Sequence, residues 1–434
     1  MKIIHSCQIL LFLFLLSCMD RFVIPSDIDM QGSGEFVAGD TVFLQINPPW
    51  NNSYGFDQPE EISVAQDGRI FVADKGNNSI IVLNQDGSKP SGFERLISLE
   101  DGQGNPIVPI DVYIDNKMNV FIIDGSERIF MWNQYWSDMA IERISSSGTF
   151  NHTQSNLDTT VLAGSNIWLS LLNDVEWTLV STEMSENPIL IDSLTKPHLF
   201  YDGKNEMNIF LDNYYQADSS RFNALTVPPG QENMIFLTDN YGGASDQYRV
   251  VQIDFYRSLI LELSSGEIVW AFTGRFGGTV KGYGTGAGTV NQPLGLDVDY
   301  QGNLYYTQAG DYFPVHMISP NLSGDFATYT SGFQPEADDI MDPSRFLLPL
   351  DVAVDNSRNI YIVDKQNRDV TVFNSYGDFF KKAGYQQDSL NVMNQPVAVT
   401  VDQRGIVYVC DQFDGAVYRF KLSNALDEDI IPED

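Results

Sequence analysis

Along this chain, apolar residues gather in runs of four or five that are apolar at both odd and even positions. Clusters of Asp, Asn and Gly separate the runs. The clearest stretch reads Asp351-Val-Ala-Val-Asp355, a turn, Asn359-Ile-Tyr-Ile-Val-Asp364, a polar Lys365-Gln-Asn-Arg368, and then Asp369-Val-Thr-Val-Phe373. Runs this short, rich in β-branched and aromatic residues and bounded by turn formers, predict strands. A strand apolar on both faces has to be covered on both faces.

The same unit recurs. Near the start stand Glu61-Ile-Ser-Val-Ala65, Gly68-Arg-Ile-Phe-Val-Ala-Asp74 and Ile80-Ile-Val-Leu83; near the end stand Val397-Ala-Val-Thr-Val-Asp402, Gly405-Ile-Val-Tyr-Val-Cys-Asp411 and Ala416-Val-Tyr-Arg-Phe420. Further copies begin at Asp111 and Leu294, and a divergent one holds Met234-Ile-Phe-Leu-Thr-Asp239. A proline precedes the first run at Pro59, Pro109, Pro293, Pro349 and Pro396, as suits the start of a strand. Fourth β-like segments such as Glu267–Phe272 and Asp378–Lys381 complete each unit. Sheets packed between neighbouring sheets in a radial stack satisfy this pattern, so the expected fold is all-β: a β-propeller of four-stranded blades. Thr41–Ile46 is a strand without a blade of its own, and the last unit lacks a fourth strand. The N-terminal strand is therefore expected to complete the last blade and close the ring. Between Arg143 and Phe222 the motif is lost, but β-rich runs continue at Asn166–Leu172, Trp177–Val180 and Pro188–Ile191. Counting that stretch as a blade makes seven blades the expectation, with six the alternative.

These units resemble the NHL repeat, through Pro-x-x-Val-x-Val-Asp followed by Gly-x-Ile-Tyr-Val-x-Asp and a Val-x-Val-Phe run. The resemblance covers most of residues 41–423. It implies a propeller but leaves activity open, because the family includes protein-binding modules of ligases, extracellular adhesion domains, lyases and lactonase-like relatives. The lyases hold zinc with histidines at equivalent blade positions. Here His5 lies near the N-terminus, and His152, His198 and His316 share no repeat position. The lactonase-like relatives hold calcium with Glu, Asn and Asp, and no matching residues carry over. Calcium stays open as a cofactor; otherwise none is expected. Asp74, Asp124, Asp239, Asp364 and Asp411 close the second strand of their units, where an Asp accepts backbone N–H bonds and sets the turn.

The N-terminus adds an address. Lys2 precedes the apolar run Ile9–Leu16, which is too short to span a bilayer and ends in Leu15-Leu16-Ser17-Cys18. This end resembles a bacterial lipobox, which implies a signal peptide over 1–17, an acylated Cys18 and a lipid-anchored tether over 18–40. An acidic tail occupies 424–434. The other two cysteines are Cys7 and Cys410, and Cys410 reads as a small buried residue. With 25 basic and 58 acidic residues the net charge is −33, which repels nucleic-acid phosphates. The mean hydropathy of −0.17 excludes a multi-span membrane protein.

The functional expectation is a non-catalytic binding or scaffolding module, lipid-anchored at the bacterial cell envelope, whose partner is a protein or glycan. The alternative is a cation-dependent hydrolase or lyase working in the central channel. Loops between second and third strands meet at one end of a propeller and vary on a constant frame. Tyr241, Tyr312, Phe313, Arg368 and Phe413 in those loops are the candidate contacts, since aromatic and Arg side chains dominate contact energy.

Overall fold

The computed structural model describes residues 41–101, 104–134, 166–167, 197–203, 220–230, 233–243, 248–262, 268–310, 312–321, 328–335, 338–384 and 391–424, with backbone alone at 166–167, 198, 256–262, 268–273 and 424. Cys18, the signal and tether spans, residues 425–434, His152, Trp177–Val180 and Pro188–Ile191 lie outside these residues.

After β1 (Thr41–Gln45), the first blade holds β2 (Pro59–Val64), β3 (Ile70–Asp74) and β4 (Ser79–Leu83). The second holds β5 (Asp111–Ile114), β6 (Asn119–Ile123) and β7 (Arg128–Asn133), after which β8 (Asn166–Ile167) passes to the next sheet and β9 (His198–Asp202) returns as the second blade's outer strand. In the third, β10 (Phe222–Thr226), β11 (Met234–Asp239), β12 (Arg249–Glu262) and β13 (Ile268–Lys281) pair in sequence, with β8 on the edge of β13. The fourth runs β14 (Pro293–Val298), β15 (Leu304–Gln308), β16 (Val315–Asn321) and β17 (Thr328–Ser331); the fifth runs β18 (Pro349–Val354), β19 (Ile360–Asp364), β20 (Asp369–Phe373) and β21 (Phe379–Ala383). The sixth holds β22 (Pro396–Val401), β23 (Ile406–Asp411) and β24 (Ala416–Asn424), and β1 is its fourth strand.

The innermost strands β2, β5, β10, β14, β18 and β22 neighbour one another in that order, and β22 lies against β2. The ring therefore has six blades. The expected seventh fails because β5 and β10 are direct neighbours, which leaves no opening for a sheet between the second and third blades. The described parts of the intervening chain are absorbed as edge strands, β9 on one side and β8 on the other.

Apolarity on both faces has the expected cause. Every residue of β3, β6, β15, β19 and β20 is buried, because the neighbouring blades cover both sides. Between the first two blades Phe71, Phe93 and Trp132 meet edge-on, with centroids 5.6 and 5.8 Å apart, a geometry that suits the ring quadrupoles. Closure also follows expectation. Thr41 to Gln45 pair antiparallel with Asn424 to Phe420, and Phe43 packs edge-on against Tyr361 of the fifth blade. Burying a side chain of that size is worth about 2–3 kcal/mol. Gly274–Lys281 belongs to β13; a Cβ on Gly274 would stand 2.8 Å from Phe200 and Tyr201 and 2.9 Å from Ile253.

Candidate functional site: the channel and the loop end

Each blade is an antiparallel meander, so its second-to-third-strand loop and the connection entering its first strand lie at the same end of the ring. The Asp that closes the second strand ties these two segments together. Asp364 accepts from the N–H of Leu347 and Leu348 in the entering segment, from the N–H of Gln366 and Asn367 in the loop, and from the Asn367 side-chain amide. Asp411 accepts from the N–H of Asn394, Gln395 and Asp414, and Asp74 from Asp57 and Gln58 N–H and the Asn77 amide. Asp239 takes Arg221 and Tyr241 N–H and pairs with Arg249, while Asp124 takes Ser126 N–H and pairs with Arg128. In the fourth blade Gln308 stands at this position, accepting Asn291 N–H through Oε1 and donating through Nε2 to the Phe313 carbonyl. These side chains do structural work, as their repeated position predicts.

A second row of acids faces the channel. Glu61, Asp111 and Asp351 each stand two residues after the proline that opens a first strand, and Asp297 stands two further along in the fourth blade. Together they line one cavity of about 40 Å³, room for about three water molecules. Three of them reach across to the next first strand. Asp111 Oδ2 accepts Leu225 N–H at 2.6 Å, Asp297 Oδ2 accepts Val354 N–H at 2.7 Å, and Asp351 Oδ2 accepts Val399 N–H at 2.9 Å. Gly295 makes the closest approach possible, since a Cβ there would stand 2.5 Å from the Asp351 Cα and 2.9 Å from the Leu350 carbonyl oxygen.

Desolvation dominates the ionisation of this row. Burial, then repulsion from Asp351 and Asp111, pushes Glu61 well above the usual carboxylate range. Burial, with repulsion from Asp351 and Asp297, does the same to Asp111. Asp297 is pushed up to about 7 by burial and Asp351 to about 7 by burial and by Asp297. Among the described residues no three His, Cys, Asp or Glu side chains stand close enough together to hold a metal ion. Calcium needs six to eight converging oxygens. Three of these acids already accept a neighbouring backbone N–H, and burial favours their protonated forms. Sequence reading did not single out these four residues; the Pro-x-Glu/Asp spacing at three blades was the available signal.

The predicted contact residues divide into two groups. Tyr312 and Phe413 are 64% and 70% exposed at the loop end, and Arg368 is exposed beside them in the fifth blade. Tyr241 folds back, its ring lying across Gly243, and Phe313 is half-buried, edge-on to His316 at 6.2 Å. Leu347 and Ile97, at 62% and 59% exposed, join the loop-end surface and were missed because each reads as an ordinary apolar residue of a connection. His316 is fully buried, stacked on Tyr306 at 5.0 Å. Its Nδ1 accepts Gly288 N–H, and its Nε2 lies 2.8 Å from the Phe313 carbonyl oxygen. Burial pushes its pKa down to about 4, so the ring is neutral and Nε2–H is the donor. Cys410 is buried, and burial pushes its thiol pKa up.

The model of the NHL repeat matches residues 56–83, which hold β2, β3 and β4. No curated protein matches the sequence. Solved structures similar in chain course include a gluconolactonase from Xanthomonas campestris, 11% identical over 89% of this chain and 99% of that one with a TM-score of 0.45. A virginiamycin B lyase from Staphylococcus aureus is 11% identical over 88% and 100% with a TM-score of 0.43, and a Bacteroides thetaiotaomicron protein of unknown function is 12% identical over 88% and 76% with a TM-score of 0.46. Likeness this distant says nothing of what this chain binds or turns over. Six sheets closed in a ring make this chain a β-propeller, and its first blade matches the NHL repeat.

Proposed function

We propose that this propeller is a non-catalytic binding or scaffolding module of the bacterial cell envelope, held to a membrane by acylated Cys18 and meeting a protein or glycan partner with its loop end. The observation that carries this reading is the contrast in exposure between the two ends of each blade's inner path. The channel cavity of about 40 Å³ admits water but no substrate of ordinary size. The loop end presents Tyr312, Leu347 and Phe413 at 62–70% exposure on a frame fixed by buried aspartates. Tyr300 and Tyr376, 60% and 74% exposed, lie at the opposite end; what the loop end adds is the frame of buried aspartates that fixes its side chains for contact.

Two measurements test the proposal. Labelling of intact cells with a fatty-acid analogue should mark the native chain and not Cys18→Ser; equal labelling of both removes the anchor. Capture of envelope components by the intact chain should weaken in Tyr312→Ser and Phe413→Ser, and unchanged capture in both moves the docking surface away from the loop end. The four channel carboxyls favour a second reading, a cation-dependent hydrolase or lyase. Thermal unfolding with calcium, zinc or EDTA decides it, because a ligand of the folded state raises the midpoint with concentration. The binding-module reading expects no shift.

A further inference from the structure

At the loop end, between the fifth and sixth blades, lies an open groove of about 470 Å³, within the range of about 300–1,000 Å³ typical of ligand sites. Leu347, Lys365, Gln366, Arg368, Asn394 and Gln395 line it. In a chain with 58 acidic residues, none of the lining residues is acidic, and two are cations. Neither Lys365 nor Arg368 forms an ion pair among the described residues, whereas Lys75, Arg128, Arg249, Arg345, Lys382 and Arg404 each have a carboxylate partner.

The backbone under Arg368 supplies an independent observation. The last residue of this loop adopts the left-handed conformation in three blades: Asn78 at φ 50°, Arg368 at φ 59° and Gly415 at φ 56°. Asn and Gly tolerate that conformation; a long side chain with an ordinary Cβ is disfavoured there. The turn would form with either of its sister residues, so the guanidinium is placed at a conformational cost, one that Met118 and Arg358 also bear in first-to-second-strand turns. The walls are rigid: Asp364 holds Leu347 and the Lys365–Arg368 loop from one side, and Asp411 holds Asn394 and Gln395 from the other.

We infer that this groove binds an acidic, partly apolar peptide segment of the partner, with Lys365 and Arg368 taking its carboxylates, the Gln366 and Gln395 amides its backbone (Asn394 Nδ2 already donates to Asp414), and Leu347, 62% exposed, an apolar side chain. This rests on the binding-module reading and names the partner's chemistry. A peptide is preferred to a glycan because no aromatic ring lines the groove for a sugar face to stack on.

The test uses the full chain in detergent and fluorescence anisotropy with two labelled decapeptides, one alternating Glu and Leu, the other Lys and Leu. The acidic peptide should bind more tightly, and its affinity should fall with added salt. Arg368→Asn and Lys365→Gln should each weaken it by about tenfold, the loss expected for a charge-assisted hydrogen bond. The thermal midpoint should hold or rise in Arg368→Asn, because Asn suits the turn; this separates lost recognition from lost folding. Equal binding of the two peptides, or undiminished binding by both variants, overturns the inference. So does polyglucuronate displacing the acidic peptide at lower carboxylate concentration than unlabelled peptide, which would give the groove to a glycan. If Arg368→Asn captures envelope components as well as the native chain does, the groove is refuted and the module reading stands. If the native chain captures none, both fall.

Discussion

Two sets of buried acids in this propeller, a few residues apart along the same blades, meet opposite surroundings. At the loop end, Asp364 and Asp411 accept several backbone N–H bonds each and knit an entering segment to a loop. In the channel, Asp111 and Asp351 each reach one N–H of the next blade and otherwise face other acids. Desolvation raises Asp411 as it raises Asp111 and Asp351, but only the channel acids add repulsion from acids of other blades. The first set builds a rigid rim, and the second cross-links inner strands with carboxyls whose protonated forms burial favours. Burial alone does not tell what an acid does; the donors aimed at it do.

Removing one member of each set is the strongest way to break this comparison. Asp364→Ala strips the acceptor from four backbone N–H groups and should cost about 3 kcal/mol or more in denaturant unfolding. A loss under about 1 kcal/mol would mean that water replaces the carboxylate and that the rim is not held as described. Gly295→Ala probes the channel side. Its Cβ would meet fixed backbone of the fifth blade, so about 1–3 kcal/mol should be lost from overpacking. Full stability there would show that the inner strands can spread.

Titration sharpens the contrast. The folded pKa of Asp351 is raised above its unfolded value near 3.8, so the folded state binds more protons and stability falls as pH rises from about 4 to about 7. His316, lowered to about 4, acts in the opposite sense: its contribution is present above the unfolded pKa near 6.5 and is lost as pH falls toward 4. Each whole proton is worth about 1.4 kcal/mol per pH unit, so the two partly cancel. Asp351→Asn should therefore tilt the profile toward greater stability at higher pH, and His316→Gln should tilt it the other way. Parallel profiles for native chain and Asp351→Asn would place the excess proton elsewhere. The smallest effect belongs to the exposed rim. Tyr312→Ser and Phe413→Ser should move unfolding by no more than about 0.5 kcal/mol while weakening partner capture. A larger destabilisation would make them part of the frame.

Much of this was legible in the chain. The repeat, the strands apolar on both faces, the closing role of Thr41–Gln45 and the turn-setting aspartates are all local patterns, and each local pattern was satisfied where it stood. The exposure of the proposed contact residues was legible only in part. Arg368, Tyr312 and Phe413 point outward, but Tyr241 lies on its own loop and Phe313 joins the core, because exposure in a loop depends on what the next segment leaves uncovered.

By itself the sequence determined the blade, since a strand is specified by residues within a few positions of one another. Tertiary structure decided the number of blades, because β-rich runs can form a new sheet or extend the edges of two old ones, and only the direct packing of β5 on β10 chooses between these. It also decided which acids face each other. Glu61, Asp111, Asp297 and Asp351 are up to 290 residues apart in sequence, and their shared cavity exists only because closing six blades brings the first strand of each to a common axis.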